Sequence, residues 1–591
     1  MKKLLFLSIL TLLPMLANAV DGDTFSEKTA EGVLLKYTII SESEKTCMVG
    51  EKDLWAYPTA RAIKASEDEK SQVSGDITIP EEANGYKVIR IEHSAFERTT
   101  ITSVFIPNSV KTIGRSAFAE CVDLKSVRLP EQLTEIESST FGNCANLTSI
   151  DIPEGVTSIG DYAFARCKQL SEITIPSSVT HFGKCVFWNT GFTSLPKLPE
   201  SITTIVNNMF YECTQLSSIE IPKNITWIGD CAFGRCPMAE IEIPASVTRI
   251  GVAAFANCTN LTSISIPDNV TDIGFNIFWG CTNLKTVKLS KNISGIREGS
   301  FKECSSLESV VIPNGLKFIG QWAFLDCSSL SSIDIPETIE EIGEQAFANC
   351  TSLTQLFIPK SIINIKNEQR TFVSGCNSLS SIIVDEDNPV FDSRDRCNAI
   401  IETASNTLIA GCPATKIPEG ITSIGSRAFC NFENLKTIAL PSSLKNIEEW
   451  AFAYCSNLTS VVIPKSVSSI GNAAFFTCPA LTSVTSLIEE PFEIKKDVFE
   501  LYNGEIFERV FTSATLYVPK GCKARYETTA GWKNFTDIRE MDGTDTGIGD
   551  VQIMNADSTS SIVIYDLQGR RLSTTPQKGV YIQNGKKKLV K

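Results

Sequence analysis

Histidine, the side chain used most often for acid–base catalysis, is almost absent from this sequence: His93 and His181 are the only copies among 591 residues. They lie in widely separated segments, so a histidine-based triad or a multi-histidine metal site is hard to build. An H-E-x-x-H zinc motif and a phosphate-binding glycine loop are also missing from the sequence. Carboxylates are abundant and two facing ones could cleave a glycoside, but no pair stands apart. We therefore expect no enzyme activity, no catalytic residues, no metal site and no cofactor.

Basic charge is outweighed by acidic charge. Lys and Arg number 54 against 68 Asp and Glu, which gives a net charge of −14 at pH 7. An acidic chain of this kind is a poor candidate for binding nucleic acid or anionic membranes. We expect no nucleic-acid partner.

Long apolar runs are missing after the N-terminus. One short run, from Leu4 to Leu16, follows Met1-Lys2-Lys3 and precedes Ala17-Asn18-Ala19. A charged start, a short apolar core and an A-x-A site predict a secretory signal peptide over residues 1–19. The run is too short to span a bilayer. We expect a soluble protein without a transmembrane segment, located outside the cell or on its outer surface.

A 23-residue repeat dominates the sequence. One copy runs from Cys144 to Arg166, and the next begins at Cys167. The pattern L-x-x-I-x-I within each copy is typical of the strand of a leucine-rich repeat. Its apolar residues alternate with outward ones, such as Ser149 and Asp151, as in a strand with one buried face. A proline follows most copies and ends the strand because it lacks an N–H. These prolines are Pro107, Pro130, Pro153, Pro176, Pro199, Pro222, Pro244, Pro267, Pro313, Pro336 and Pro359.

A phenylalanine recurs with the same period. Stacked coils would bring these side chains into register, which predicts a buried aromatic ladder rather than a cofactor site. The series includes Phe118, Phe141, Phe164, Phe187, Phe210, Phe233, Phe255, Phe347, Phe429, Phe452 and Phe475. The predicted fold is mainly β: a curved leucine-rich-repeat solenoid of about 17 coils, capped at both ends, with a small C-terminal β module.

Changes in the repeat divide the chain into segments. A solenoid needs its open ends covered, so the flanks without the repeat are predicted to be caps. The predicted segments are a signal peptide (1–19), an N-terminal cap (20–75), the solenoid (76–485) with an irregular island (360–416), a degenerate repeat and C-terminal cap (486–541), and a linker with a small module of two strands (542–591).

The 20 cysteines do not form an evident disulfide scaffold. Thirteen of them, from Cys121 to Cys478, occupy one repeat position just before the strand. That position also holds Thr190 and Phe432, and phenylalanine can neither bridge nor ligate. Stacked copies would also hold their Cβ vectors parallel rather than facing each other. We expect buried, reduced thiols at this position.

The island at 360–416 concentrates acidic residues. Asp385, Glu386, Asp387, Asp392 and Asp395 fall within eleven positions. Their oxygen atoms could ligate calcium, but the spacing fits no known calcium loop, which favours a solvated acidic bulge.

A hairpin is predicted later in the same island, around Ala404 and Ser405. If Glu402 faces Thr407 across the turn, the same register places Cys397 opposite Cys412. Facing cysteines in an exported protein can form a disulfide, so this pair is a candidate.

The extended pattern L-x-x-I-x-I-P-x-x-V-x-x-I-G-x-x-A-F-x-x-C resembles the BspA-like leucine-rich-repeat proteins of bacterial surfaces, over roughly residues 76 to 540. The resemblance implies a parallel-β solenoid that binds proteins, often host or matrix proteins, without catalysis. Residues 550–591 look like the sorting tails of proteins exported by type IX secretion, through Ile564-Tyr-Asp-Leu-Gln-Gly-Arg570 and Gly579-Val-Tyr-Ile582. That likeness implies a module that directs location.

These observations predict an exported, non-catalytic, adhesin-like scaffold that binds a host, matrix or bacterial protein. The alternative is a structural cell-surface component without a specific ligand. The predicted binding surface is the exposed strand face, where an acidic stretch adjoins a partly apolar one. A competing hypothesis is that the island hairpin or a cap covers the apolar part. The predicted site residues are Asp151, Glu172, Glu220, Glu240, Glu242, Lys288, Val311, Phe357 as an anchor, Ile383 and Val462.

Overall fold

The computed structural model describes residues 19–51, 73–367, 371–503 and 508–541, and short strands between 564 and 590. The signal peptide predicted for residues 1–19 lies almost wholly outside these ranges. The chain divides into two compact units, residues 1–192 with 196–202 and residues 193–195 with 203–591. Together they contain about 20 β-solenoid turns of about 23 residues, somewhat more than the number counted from the sequence. The mainly β solenoid class is confirmed.

Most coils contribute two short strands, and most of these strands pair in parallel with a copy in a neighbouring coil. We call the strand that carries L-x-x-I-x-I the face strand. The face strands of the first unit are Ser74–Thr78, Thr100–Phe105, Ser126–Arg128, Ser149–Asp151 and Glu172–Thr174. Those of the second unit are Ser263–Ser265, Thr286–Lys288, Ser309–Val311, Gln355–Ile358, Ser381–Val384, Thr437–Ile438, Ser460–Ile463, Ser483–Ser486, Thr515–Val518 and Ile538–Glu540.

We call the strand after the proline the second strand. In the first unit the second strands are Tyr86–Ile91, Thr112–Ile113, Glu135–Ile136, Ser158–Ile159 and His181–Phe182. In the second unit they are Thr204–Ile205, Trp227–Ile228, Arg249–Ile250, Asp272–Ile273, Gly295–Ile296, Phe318–Ile319, Glu341–Ile342, Asn364–Ile365, Thr407–Ala410, Ser423–Ile424, Asn446–Ile447 and Ser469–Ile470.

The repeat explains the register of these sheets. Ser149 pairs with Glu172 and Asp151 with Thr174, an offset of one 23-residue period. Ile150 between them is buried, while Ser149 and Asp151 are exposed. Because side chains alternate across a strand, a shift of one residue would bury the polar positions, so the apolar pattern fixes the register.

The third side of each coil is a stacked turn. Ser116 and Glu120 adopt left-handed φ angles of 55° and 59°, a conformation that recurs in most coils at residues other than glycine. Between them, the Phe118 N–H donates to the carbonyl of Thr140 in the next coil at 2.9 Å. Hydrogen bonds to the neighbouring coil therefore stabilise a conformation that isolated L-residues rarely adopt.

The glycine after the second strand permits close approach of two coils. A Cβ at Gly160 would lie 2.7 Å from the Ser138 nitrogen and 2.9 Å from the Glu137 carbonyl carbon. Gly160 itself is not in the left-handed region. Glycine is needed at this position for a steric reason, because a side chain would clash with backbone atoms of the preceding coil.

The predicted phenylalanine ladder is confirmed within each unit. In the first unit, Phe96, Phe118, Phe141 and Phe164 stack with ring centroids 5.1 to 5.6 Å apart. In the second unit, the series from Phe210 to Phe347 continues at 5.2 to 6.0 Å. These rings are fully buried and supply much of the apolar area that holds the coils together.

Burial of the repeated cysteines is also confirmed, since all thirteen are at most 1% exposed. The structure also shows hydrogen bonds at this position that the sequence did not reveal. In twelve of the coils, beginning with Cys121, the thiol donates to the carbonyl of the ladder phenylalanine in the preceding coil at 2.9 to 3.2 Å. In the coil that carries Thr190, the hydroxyl donates to its own Phe187 carbonyl at 3.0 Å. The position therefore combines small size with a hydrogen-bond donor.

Antiparallel strands cover the N-terminal edge of the first unit. Thr24–Lys28, Leu34–Ser41 and Thr46–Val49 form a meander, and the last of these pairs in parallel with Tyr86–Ile91. The strand Glu82–Ala83 closes a hairpin on Tyr86–Ile91. This covers the edge strand that a solenoid would otherwise expose.

The island is an insertion within a continuing stack. The face strands Gln355–Ile358 and Ser381–Val384 still pair, and Thr407–Ala410 still pairs in parallel with Ser423–Ile424. Between them lie strands Phe391–Asp392 and Ile400–Glu402 and a short 3-10 helix, Arg394–Arg396. The predicted hairpin is confirmed, with Glu402 opposite Thr407. The later strand of the hairpin, Thr407–Ala410, pairs within the sheet of second strands. The hairpin therefore extends that sheet.

At the C-terminal end of the second unit, aromatic residues close the stack. Trp532 is fully buried, and its Nε1–H donates to the Phe492 carbonyl at 2.9 Å. The elements here are 3-10 helices Lys496–Phe499 and Trp532–Asn534, α-helix Lys523–Tyr526, and a hairpin of Glu500–Asn503 with Glu508–Phe511. Among the described residues no helix has the length and apolar character needed to cross a bilayer.

The C-terminal module has four antiparallel strands where the sequence predicted two. Ile564–Asp566 pairs with Arg571–Leu572 and with Gly579–Gln583, and the latter pairs with Lys586–Val590. The two strands that the sequence did not predict are Arg571–Leu572 and Lys586–Val590. The predicted linker over residues 542–549 lies outside the described residues.

Candidate binding surface

In the second unit, the face strands bring four of the predicted site residues into one row: Glu220, Glu242, Lys288 and Val311. The row consists of the second outward position of successive coils, which pair directly with one another. Its members, in order, are Glu220, Glu242, Ser265, Lys288, Val311 and Asp334. Neighbours in a parallel sheet lie about 4.8 Å apart, so the row is a continuous strip with a fixed order of charge.

The acidic end of this row lacks counter-ions. Glu220 and Glu242 are neighbours across the coils, and Glu240 lies on the same face as Glu242, two residues earlier. All three are exposed, and within the described part of the chain none of them has an ion pair or a side-chain hydrogen bond. Unpaired like charges at this spacing produce a local negative potential that would attract a basic partner.

A shallow groove of about 840 Å³ lies over this end of the row. Its walls are Glu240 and Glu242 on one side and Thr286 and Lys288 on the other. The small side chains of Ser263 and Ser265 form the floor of the groove. The groove exists because short residues separate two coils with long outward side chains.

The apolar residues of the predicted site differ in exposure. Val311 is 77% exposed, between Lys288 and Asp334. Phe357, Ile383 and Val462 are half-buried. Phe357 pairs directly with Ile383, so two large side chains on neighbouring strands cover each other. The proposed anchor therefore presents only part of its ring.

Asp151 and Glu172 belong to the first unit. They lie on paired face strands, and both are exposed. Asp151 accepts a hydrogen bond of 2.7 Å from the Thr174 hydroxyl. Glu172 lies beside Ser149 rather than beside Asp151, so the two acids are diagonal neighbours.

A second groove in the first unit was not identified from the sequence. It has a volume of about 290 Å³ and is lined by Asp76, Phe105 and Arg128 on three paired face strands. The Arg128 guanidinium lies over the Phe105 ring at 4.9 Å, and Phe105 is 37% exposed. The repeat pattern could have identified this groove, because Phe105 and Arg128 occupy the same outward position in their coils as Asp151 does in its own.

The register that supported the Cys397–Cys412 pair holds only at the turn. Glu402 faces Thr407, but a bulge shifts the pairing so that Ile400 faces Ala410. Both cysteines are buried separate thiols, and the Cys412 thiol donates to the Asn398 carbonyl at 3.4 Å. Because of this one-residue shift, the pairing register no longer places Cys397 opposite Cys412. The geometric argument for a disulfide therefore fails here.

The acidic island is organised by internal hydrogen bonds. Asp392 accepts from the Arg394 Nε–H at 2.8 Å, and Asp385 accepts from the Asp387 backbone N–H at 2.9 Å. Burial acts to raise the pKa of Asp392, but the hydrogen bonds from Arg394 hold it below the ordinary value. Among the described residues no three acidic, cysteine or histidine side chains are grouped as metal ligands.

The fold and this surface define a leucine-rich-repeat scaffold. The chain belongs to the family described as the BspA type leucine rich repeat region (6 copies). The matched residues are 89–196, 187–307, 273–394 and 408–516. The family is one of repeat scaffolds typically found on cell surfaces, and no catalytic family is indicated.

Several solved structures are similar to this chain. A leucine-rich repeat protein from Bacteroides ovatus is 23% identical, with a TM-score of 0.41, and the match covers 76% of this chain and 92% of that one. A leucine rich cell surface protein from Faecalibacterium prausnitzii is 24% identical, with a TM-score of 0.36 and coverage of 61% and 94%. One from Bacteroides capillosus is 32% identical over 22% of this chain and 88% of that one, with a TM-score of 0.18. A comparison with curated proteins gives no match.

Proposed function

We propose that this protein is an exported, non-catalytic scaffold that binds a protein ligand of host, matrix or bacterial origin. The observation that carries the proposal is the row from Glu220 to Asp334, which orders acidic, hydroxyl, basic and apolar side chains on one exposed sheet surface. A stripe of unpaired carboxylates favours association with a basic partner. The exposed Val311 and the Phe357–Ile383 pair add apolar contact area.

Export and display form the second part of the proposal. The signal peptide over residues 1–19 would direct the chain out of the cytoplasm. The four-stranded module after residue 560 would act as the sorting signal that its sequence resembles. Both features are distinct from the binding surface, so they can be tested by separate truncations.

The binding proposal is tested with purified chain lacking residues 1–19. The chain is immobilised and exposed to purified matrix proteins, serum proteins and bacterial surface fractions, and binding is followed on a biosensor. Any partner is then measured against Phe357→Asp, which places a charge in the apolar contact area. We expect loss of binding with unchanged circular dichroism and unchanged melting temperature.

A matched control adds the same negative charge but places it off the face. Asn314 is exposed and lies just after the proline that ends its strand, so Asn314→Asp should bind like the parent. Parental binding by Phe357→Asp would contradict the proposed surface. A chain that binds nothing in any fraction would favour a structural surface component instead.

A further inference from the structure

A pocket of about 510 Å³ lies on the turn side of the second unit, away from the face strands. Its volume falls within the range of small-molecule sites, about 300 to 1,000 Å³. Its described lining is mixed: an arginine, two carboxamides, a serine hydroxyl, a thiol, a tryptophan and a tyrosine. These residues are Gln345, Ser374, Arg427, Cys430, Asn431, Trp450 and Tyr454.

The described side chains of one coil are short at this point. Among the described residues in the coil of Phe372, Ser374 lines the pocket and Gly375 follows it. The Ser374 hydroxyl donates to the Cys430 carbonyl at 2.9 Å, and the Asn431 amide reaches past this coil to the Asn349 side chain at 3.3 Å. The flanking coils carry longer side chains, which form the walls of the pocket, and Ser374 lies at its floor.

The aromatic wall is held rigidly. Trp450 and Tyr454 stack at 6.1 Å, and both rings meet Phe476 edge-on at 5.3 and 5.7 Å. Beneath them lies a buried cluster that includes Cys430, Ala453 and Ala473. Packing from behind fixes the rings before a ligand arrives, which lowers the entropic cost of binding.

Arg427 is the one charged residue among the described residues that line this pocket. Its guanidinium lies over the Trp450 ring at 5.6 Å and donates to the Ser426 hydroxyl at 3.2 Å. The carboxylate paired with it, Glu449, is 3.8 Å away and half exposed. A guanidinium has five N–H donors, so donors remain for a planar anion such as a carboxylate.

The opposite wall offers a neutral amide. The Gln345 side chain is half-buried, and within the described ranges no hydrogen bond to its amide is found. An amide can both donate to and accept from a hydroxyl group. Opposed amide and guanidinium groups beside a rigid aromatic wall suit a ring with apolar C–H groups, several hydroxyls and one negative charge.

We propose that this pocket binds a sugar ring that carries a carboxylate, as in a uronic acid residue of a glycan. The C–H face of the ring packs against Trp450 and Tyr454, because aromatic faces are electron-rich and attract weakly positive hydrogens. The carboxylate accepts hydrogen bonds from Arg427, and the ring hydroxyls pair with Gln345 and Asn431. The site is independent of the protein ligand proposed for the face strands.

The test uses the chain without residues 1–19 and two probes that share one ring. Methyl β-D-glucuronide and methyl β-D-glucoside are titrated separately by calorimetry and by ligand-observed NMR. We expect the glucuronide to bind at least tenfold more tightly than the glucoside. Equal affinity for the two probes, or no binding of either at millimolar concentration, would overturn the proposal.

Variants locate the binding. Arg427→Gln should remove the preference for the glucuronide over the glucoside. Gln345→Ala, on the other wall, should weaken glucuronide binding several-fold. Two matched control variants should leave glucuronide affinity unchanged. Arg249→Gln replaces an arginine that lies over Trp227, and Trp322→Phe replaces a tryptophan at the same repeat position as Trp450. Parental glucuronide affinity in both pocket variants would show that the ligand lies elsewhere and would overturn the assignment. Trp450 itself is not replaced, because it packs against the buried cluster.

Discussion

The thiol of Cys144 donates a hydrogen bond to the backbone carbonyl of Phe118, 3.2 Å away in the preceding coil. The same oxygen also accepts the N–H of Cys121 at 3.3 Å. A cysteine side chain therefore links the backbone of one coil to that of the coil before it. Burial raises the pKa of the Cys144 thiol well above its usual value, and it raises that of Cys167 to about 12.

The repeated cysteines should resist alkylation in the native protein. The thiolate is the reactive species, and burial suppresses both its formation and access to it. We expect iodoacetamide at pH 8 to leave most of the thirteen unmodified, and to modify all of them in guanidinium chloride. Mass spectrometry of the two digests gives the count. Rapid native labelling of many of these positions would disprove the packing described here.

Stability should fall at alkaline pH. A thiol with an ordinary pKa of about 8.5 when unfolded and about 12 when folded keeps its proton more tightly in the native state. Its stabilising contribution is complete below pH 8.5 and is lost as pH rises toward 12. Each pH unit in that window lowers the free energy of unfolding by about 1.4 kcal/mol per thiol.

Urea unfolding between pH 7 and 11 measures this effect. Cys167→Thr, which copies the residue found at Thr190, should show a shallower decline than the parent over the same range. A parallel decline in parent and variant would mean that this thiol does not contribute to the pH dependence.

Shortening the aromatic ladder should be costly. Phe324 is fully buried between Phe301 and Phe347, at 5.2 and 5.4 Å. Phe324→Ala should lower the free energy of unfolding by about 3 to 5 kcal/mol, because it removes buried area and leaves a cavity. The control is Phe275→Ala, since that ring is 46% exposed and its loss should change stability by less than about 0.5 kcal/mol. Similar melting temperatures for the two variants would contradict the ladder.

The carboxylates on the face should control the rate of association. With a basic partner in hand, replacing both Glu240 and Glu242 by Lys should slow association by about tenfold and flatten its dependence on salt. Dissociation should change less, because the effect acts on the long-range encounter. Stopped-flow or biosensor kinetics between 50 and 500 mM NaCl decide the matter. Unchanged association rates would move the binding site off this face.

Removal of residues 542–591 should separate location from folding. We expect thermal unfolding of the remaining chain to be unchanged, because its stacked coils do not depend on the C-terminal strands. We expect delivery to the cell surface to be impaired in the organism that produces the protein, as judged by surface labelling and fractionation. Undiminished display after deletion would mean that the module has another role.

Local sequence determined which residues are buried. Leu147, Ile150 and Ile152 repeat at fixed spacing, and side chains on a strand alternate between its two faces. The same argument placed Asp151 outside, and recurrence with the 23-residue period placed Phe164 and Cys167 in the core. These predictions succeeded because every coil repeats the same local conformation.

Tertiary structure alone decided what depends on neighbouring coils. The exposure of Phe357 is set by Ile383 on the adjacent strand, and a single bulge near Ile400 undid the register predicted for Cys397. The pocket between Gln345 and Arg427 joins residues separated by the island insertion. A repeat pattern describes each coil by itself, whereas coverage and cavities arise from the sizes of side chains in adjacent coils and from where insertions leave the stack.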